Sequence, residues 1–297
     1  MHIPDNFLST RVWLTLDGVA APAVAWVARR AHKGLDESRI PLLGVLGAFV
    51  FAAQMVNFPV GVGTSAHLVG GALLTAILGP APAALVMTAI IATQAFVFQD
   101  GGVLALGANV FNMALAGVLA AWVPLRLFSG RRRVSLFLAG FLSVAMSAGL
   151  ALAELTISGI RMPPRLLALS AGLFAIGAIV EGMITLASVR AIERLNPRWI
   201  GPEPANGSRA WAAIAFAAVL MVVVGLFAAS GAPDGVMQIG QWADLHARPV
   251  WAAPMADYSL PAGPLWLRRP AAAMLGLGLV GGSAVAASYF LLRRRSS

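Results

Sequence analysis

Val134–Ser158 reads VSLFLAGFLSVAMSAGLALAELTIS, twenty-five residues in which Glu154 is the only charge. A helix needs about 20 such residues to cross the hydrocarbon core of a bilayer. Stretches of the same kind run over Val12–Arg30, Pro41–Phe58, Ala83–Phe98, Leu104–Leu127, Leu166–Ala191, Ala210–Ala229 and Ala271–Leu292. A shorter apolar piece, Leu68–Leu78, stops at a Gly-Pro-Ala-Pro break at 79–82. A helix shorter than the bilayer is tolerated only where protein or water, not lipid, meets its ends. Charged residues make up 11% of the 297, where a soluble domain carries about a quarter, and the mean hydropathy is +0.81. The pattern predicts an all-α integral membrane protein. Seven helices fall within residues 1–200, a Pro- and Gly-bearing linker is expected over 201–209, and two more helices fall within 210–297.

The chain has no cysteine, which excludes disulfides, thiolate metal sites and cysteine nucleophiles. Its net charge of +9 raises the possibility of nucleic acid, and position answers it. With the amino terminus outside, fifteen of the 21 basic residues fall in inside segments: Arg29–Arg39, Arg126–Arg133, Arg190–Arg209 and Arg293–Arg295. The excess of inside Arg and Lys is the usual one for a membrane protein, so no nucleic acid partner is needed. A multi-pass protein of the bacterial cell inner membrane is expected. Residues 1–9, MHIPDNFLS, lack the basic region followed directly by an apolar core that marks a signal peptide. Met1 and His2 are therefore expected to persist in the mature protein.

That orientation gathers three polar, glycine-bearing segments on the outer face: MHIPD, the loop Pro59–His67 and the turn Gln99-Asp-Gly-Gly102. The amine of Met1, the deprotonated amide of His2 and its Nδ1 can close fused five- and six-membered chelate rings in one plane. Three nitrogens are then fixed and a fourth planar position stays open. The natural donor for it is the imidazole of His67. Planar nitrogen sets favour Ni(II) or Cu(II) over Mg, Ca or tetrahedral Zn. Pro4, with its fixed φ, helps turn the chain back after the chelate. Taken singly, His2 reads as a polar residue at a free terminus, and His67 as a helix-start residue bonded to a carbonyl. Both on one face, among only four histidines, they read as a metal pair. His32 and His246 are expected to be solvated.

Other polar residues carry two readings each. Asp5 can cap the terminal segment or orient His2; Asn109 and Asn112 can tether that segment or bond neighbouring helices. Glu154 and Glu181 are intramembrane acids, a class that is functional by default, although Glu181 can equally satisfy polar groups between helices. No GxxxxGK[ST], HExxH or GxSxG sequence occurs, which argues against ATP binding by this chain and against the common hydrolase chemistries.

Four stretches in order, MHIPDNFLS, PVGVGTSAHLVGGALLTAILGP (59–80), FQDGGVLALGANVFNMA (98–114) and IVEGMITLASVR (179–190), resemble the cobalt/nickel substrate-binding membrane components of energy-coupling-factor transporters, the CbiM/NikM family. The resemblance covers about residues 1–200. It implies a seven-helix protein with its amino terminus outside, and a square-planar site formed by the amine of Met1, the amide and imidazole of His2 and the imidazole of His67. The cargo it implies is Ni2+ or Co2+, cobalt having a use in cobalamin biosynthesis. The implied partners are a transmembrane coupling component and two cytoplasmic ATPase subunits, with no enzymatic chemistry in this chain. SGAPDGVM at 230–237 is similar to the PDGLE signature of the accessory CbiN/NikN component, here fused. Two positions depart from the pattern: Asn6 stands for the usual Gly and tolerates a left-handed turn, and Val236-Met237 stand for Leu-Glu. The Trp-bearing segment 230–269 is expected along the outer interface. A stand-alone secondary metal permease is the competing reading; it calls for a polar path across the bilayer, which the few intramembrane acids do not supply. An intramembrane metallohydrolase is disfavoured because no general base accompanies the two histidines.

Overall fold

The structure, a computed structural model, describes residues 1–34, 39–195 and 208–293. The helices are α1 (Thr10–Gly34), α2 (Ile40–Gln54), α3 (Gly71–Leu78), α4 (Pro80–Thr93), α5 (Leu106–Asn109), α6 (Gly117–Leu127), α7 (Arg132–Ile157), α8 (Pro164–Leu195), α9 (Ser208–Ala228), α10 (Gly235–Trp242) and α11 (Leu265–Arg293). Six segments among the described residues are long and apolar enough to cross a membrane: Pro80–Phe98, Leu106–Leu127, Arg132–Ile157, Pro164–Arg194, Trp211–Ala228 and Leu265–Ala286. The protein is a multi-pass helical membrane protein.

Several elements differ from expectation. The loop after α2 is a hairpin, β1 (Phe58–Gly61) against β2 (Thr64–Ala66), with Phe58 opposite Ala66 and Pro59 opposite Ser65. Val62 and Gly63 at its tip both have positive φ, the turn whose twist suits paired strands. The span expected as one helix over Leu104–Leu127 begins at Leu106 and widens into a π-helical stretch, Val110–Ala116, between α5 and α6. A second π-helical turn, Gln94–Phe98, ends α4. Such turns concentrate at functional sites because they re-aim side chains within a helix. Both lie in the stretches that carry Gln94 and Asn112.

The short α3 behaves as its length predicts. It ends at Gly79, whose φ is 82°, and Pro80 opens α4; Ala72, Leu73 and Leu74 are wholly buried, so protein rather than lipid surrounds it. The C-terminal helices α9 and α11 both pack on α2. At the α2–α11 crossing, a Cβ on Gly44 would lie 2.7 Å from Cγ2 of Val285 and 3.0 Å from the carbonyl oxygen of Gly281, so a side chain there would force its neighbours to shift. Most of the expected linker lies outside the described residues; Ser208 and Arg209 already belong to α9.

One end of the molecule is basic. Arg39, Arg126 and Arg132 line a cavity of about 500 Å3 there, and Arg132 donates to Glu193 at 2.9 Å. The terminal segment, the hairpin and the Gln99–Gly102 turn meet at a separate cavity, described next.

Candidate metal centre

Residues 1–8 are not a frayed terminus. Ile3, Phe7 and Leu8 are buried in a cluster with Ala105, Ala108, Phe174, Val236 and Ile239. Burying three such side chains contributes about 1.5–3 kcal/mol each as an upper estimate. The backbone is clamped as firmly. Asn109 accepts from the N–H of Ile3 at 2.8 Å and donates from Nδ2 to the carbonyl of Ile3 at 3.0 Å. That carbonyl also accepts from Gly102 at 2.8 Å. A side chain on Gly102 would run into the backbone of Pro4 and Asp5. Asn6 takes a φ of 75°, the left-handed conformation anticipated for it, and turns the chain toward α1.

Met1 is thereby placed against β2. Its amine donates to Nε2 of His67 at 2.8 Å and to Oδ2 of Asp234 at 2.5 Å. Nδ1 of His67 lies 2.9 Å from the carbonyl of Leu68. A carbonyl only accepts, so Nδ1 carries the proton and Nε2 presents a lone pair to the amine. Burial, the positive amine and the nearby His2 lower the pKa of His67 from its ordinary value, keeping the imidazole neutral and able to bind a cation.

His2 is 3% exposed. Its ring lies nearly parallel to that of His67, at 8° and with centroids 5.7 Å apart. Nδ1 of His2 stands 3.2 Å from Oδ1 of Asp100, yet neither ring nitrogen makes an aligned hydrogen bond. Two buried, unbonded donor nitrogens are costly in a finished structure and fit a site awaiting a ligand. Among the described residues no three His, Asp or Glu side chains form a metal cluster of their own. A donor set of four here would have to count the terminal amine and a backbone amide.

The spacing suits a metal. Metal–nitrogen bonds of about 2.0 Å put neighbouring donors of a planar site about 2.8 Å apart, and the amine of Met1 and Nε2 of His67 are 2.8 Å apart. A cavity of about 550 Å3 opens onto the two imidazoles, lined by His2, His67, Asp100, Asp234, Tyr258 and Arg269 among others.

The remaining polar residues divide clearly. Asp5 does not orient His2: its carboxylate accepts from the backbone of Leu104 at 2.8 Å and of Val250 at 3.2 Å. Asn109 tethers the terminal segment, whereas Asn112 donates to Glu154 at 2.9 Å on the neighbouring helix. Glu181 accepts from the N–H groups of Val69 and Gly70, both at 2.8 Å, fixing the chain just after His67. His32 is half-buried rather than solvated, and His246 is exposed.

The carboxylates nearest the donors, Asp100 and Asp234, lie in the FQDGG and PDG stretches that carry the resemblance, but no reading of the sequence assigned either a place beside the donors. Burial would raise the pKa of Asp100, but His2 beside it and the Tyr258 hydroxyl together hold it below the usual range. For Asp234 burial is likewise outweighed, by the amine of Met1 and the N–H of Met237. Asp234 also caps α10. The segment that carries it does more than lie along an interface: Ser65 donates to Pro233 at 2.8 Å, and Trp251 Nε1 donates to the carbonyl of Phe96 at 2.8 Å. Val236, in the place of the signature Leu, is buried, while Met237, in the place of the Glu, lines the cavity.

The amino-terminal segment and two polar turns thus gather at one end of a polytopic α-helical membrane bundle. Residues 2–199 match the CbiM family, described as the cobalt uptake substrate-specific transmembrane region, and the chain belongs to that family. It is 28% identical to a fused nickel transport protein NikMN of Rhodobacter capsulatus, over the whole of both chains. It is 31% identical to the cobalt transport protein CbiM 1 of Pelobacter propionicus, over 70% of this chain and 97% of that one. A crystal structure of a truncated transition metal transporter superposes with a TM-score of 0.59 at 29% identity, covering 66% of this chain and 99% of that one.

Proposed function

We propose that the chain is the substrate-capture component of an ATP-driven energy-coupling-factor importer for a divalent transition metal, nickel or cobalt. The ion is held at the outer face by the amine of Met1, the amide and Nδ1 of His2, and Nε2 of His67. The observation that carries this reading is the 2.8 Å approach of the Met1 amine to Nε2 of His67, two donors brought together from positions 66 residues apart. Family membership and the names of the relatives support nickel or cobalt as cargo. Residues 1–200 form the metal-binding unit, 201–209 the linker and 210–297 the accessory unit of the CbiN/NikN kind. A coupling membrane protein and two ATPase subunits supply the drive, and this chain performs no enzymatic step. The Arg-bearing end faces the cytoplasm, in keeping with the positive-inside rule.

The test is equilibrium Ni(II) and Co(II) binding to the purified full chain. His67→Ala removes one planar donor and is expected to weaken both ions at least a hundredfold. Unchanged affinity for both would sink the site. Transport that persists without ATP or partner proteins would favour the permease reading instead.

A further inference from the structure

Metal capture at one end of the molecule does not explain the cavity at the other. Among the described residues that line it, three are arginines, Arg39, Arg126 and Arg132, and none is acidic. Arg39 precedes α2, Arg126 lies in the last turn of α6 and Arg132 opens α7. Three guanidinium groups gathered around one cavity repel one another unless counter-charge is supplied. The chain supplies only part of it. Glu193 accepts from Nε of Arg132 at 2.9 Å, but it also stands 3.6 Å from Nε of Arg190. Nη2 of Arg132 is buried with no hydrogen-bond partner among the described residues. Arg39 donates to the carbonyl of Ile77 at 3.3 Å, covering the negative end of the short α3. Arg126 lies over the Trp122 ring, 5.3 Å from its centroid. The first turn of α7, where Arg132 stands, has no capping side chain, so its N–H groups add positive potential beside the same cavity.

The surroundings say what kind of anion fits. The cavity lies where α6 ends and α7 begins, at the boundary of two segments long and apolar enough to cross a membrane, Leu106–Leu127 and Arg132–Ile157. Trp122 in its lining is of the residue type that collects at membrane–water interfaces. Beside the Trp122–Arg126 stripe of α6, Leu119, Val123 and Leu127 recur every fourth residue and all are exposed, forming one outward apolar stripe. Val134, in the first turn of α7, is exposed as well. An anion with its charge in the cavity and apolar chains along that stripe meets both features; a soluble phosphate meets one. Guanidinium groups take phosphate oxygens in charge-assisted, often paired hydrogen bonds, and basic pockets between membrane helices take anionic headgroups.

We propose that this cavity binds the phosphate headgroup of an anionic phospholipid, with Arg126 and Arg132 on the phosphate and the acyl chains against Leu119, Val123 and Leu127. On the orientation proposed above, the lipid belongs to the cytoplasmic leaflet. Once bound, it neutralises the arginine cluster and ties the α6–α7 corner to the headgroup layer. The site does not depend on the chelate.

The experiment follows thermal unfolding of the purified full chain in a neutral detergent, titrated with phosphatidylglycerol or with phosphatidylcholine of the same chain length. Phosphatidylglycerol at about a hundredfold excess over its Kd should raise the midpoint by about 5 °C, and phosphatidylcholine by much less. Arg126→Gln removes a guanidinium that rests on a ring, so unfolding without lipid should stay close to that of the unaltered chain. The variant should bind phosphatidylglycerol at least about tenfold more weakly, the size of one hydrogen bond to a charged group. Arg133→Gln alters an exposed arginine outside the lining and should weaken it by no more than about threefold. Equal losses in the two variants would overturn the site in favour of diffuse surface charge, and equal binding of the two lipids would overturn it too. Inorganic phosphate alone is a further arm: stabilisation equal to that by phosphatidylglycerol would make a soluble anion, not a lipid, the occupant. Undiminished phosphatidylglycerol binding by Arg126→Gln would also overturn the proposal; if that variant instead loses its association with the membrane coupling protein, the arginines serve an acidic protein surface.

Discussion

Placing Gly-Pro ahead of Met1 tests the use of the terminal amine without touching any side chain, since proline, unlike a lone glycine, has no amide N–H with which a new amine could complete a planar four-nitrogen set with His2. In the structure the Met1 side chain is 10% exposed and its amine lies between Nε2 of His67 at 2.8 Å and Oδ2 of Asp234 at 2.5 Å. The extension turns it into an amide, which is neutral and a poor donor to a metal. Four-donor structural sites bind with about 10–16 kcal/mol, or roughly 3–4 kcal/mol per donor. At 1.4 kcal/mol per factor of ten, the loss is about 10²- to 10³-fold in Kd. A second effect adds to the first, because the added residues must find room beside Asp234, whose side chain is 15% exposed, and leave that carboxylate without its cation. Isothermal titration of the purified chain with Ni(II), alongside thermal unfolding, separates the two effects: donor loss alone lowers affinity, whereas failure to seat lowers both. A Kd within threefold of the unextended chain would refute the amine as a ligand.

Asn109→Ala removes both side-chain hydrogen bonds to Ile3 and leaves its buried N–H unpaired, a loss of about 1–3 kcal/mol; the unfolding temperature and Ni(II) affinity should fall together, and affinity falling alone would refute the tether. Stability set by the outer face should decline with acidity in two stages. His67, its pKa lowered in the fold, takes up a proton more readily when unfolded, so stability falls as pH drops below its ordinary value of about 6.5. Asp100 and Asp234, also lowered, add stability that is complete above about 3.9 and is lost below it; unfolding scans of Asp100→Asn and Asp234→Asn should lack the acid stage. Because the chain has no cysteine, orientation can be read from single introduced thiols. Val62→Cys, 63% exposed at the hairpin tip, should react in intact cells with a membrane-impermeant maleimide, and Leu127→Cys, 71% exposed near Arg126, should not. The reverse pattern would place the amino terminus inside.

Most of the helices were legible because burial in lipid forces long apolar runs, but of the eight long runs expected to span, those that became α1 and α2 are not among the six described segments long and apolar enough to cross. The left-handed turn at Asn6 was legible for a local reason, since few non-glycine residues tolerate it. The meeting of Met1 with His67 followed from one global constraint, the distribution of arginine, combined with the donor chemistry of a free amine. Asp100, Asp234 and Tyr258 were not legible in their roles. Each acts through a partner between 98 and 233 residues away, on turns that have no periodicity to register them. The hairpin and the π-helical stretches escaped for a similar cause: each is a local adjustment to neighbours that only the assembled bundle supplies. For Asp5 two readings stood open, and its bonds to Leu104 and Val250 choose the structural one over a contact with His2.

A chelate made from a chain terminus faces an entropic obstacle that a site on a helix does not. Terminal residues are normally frayed, and fixing each backbone unit costs about 1–2 kcal/mol. If the metal had to order residues 1–8 on arrival, most of its binding energy would go into that ordering. The burial of Ile3, Phe7 and Leu8 and the paired hydrogen bonds of Asn109 hold the segment through contacts that are independent of any metal. An ion bound as proposed would meet an amine and an imidazole nitrogen already 2.8 Å apart. Preorganisation of this kind also explains why the accessory unit touches the site from two directions. Asp234 accepts from the amine and Tyr258 donates to Asp100, so one segment packs against both sides of the proposed chelate. Held in this way, a terminus could offer the atoms every protein chain possesses, an amine and an amide, as ligands.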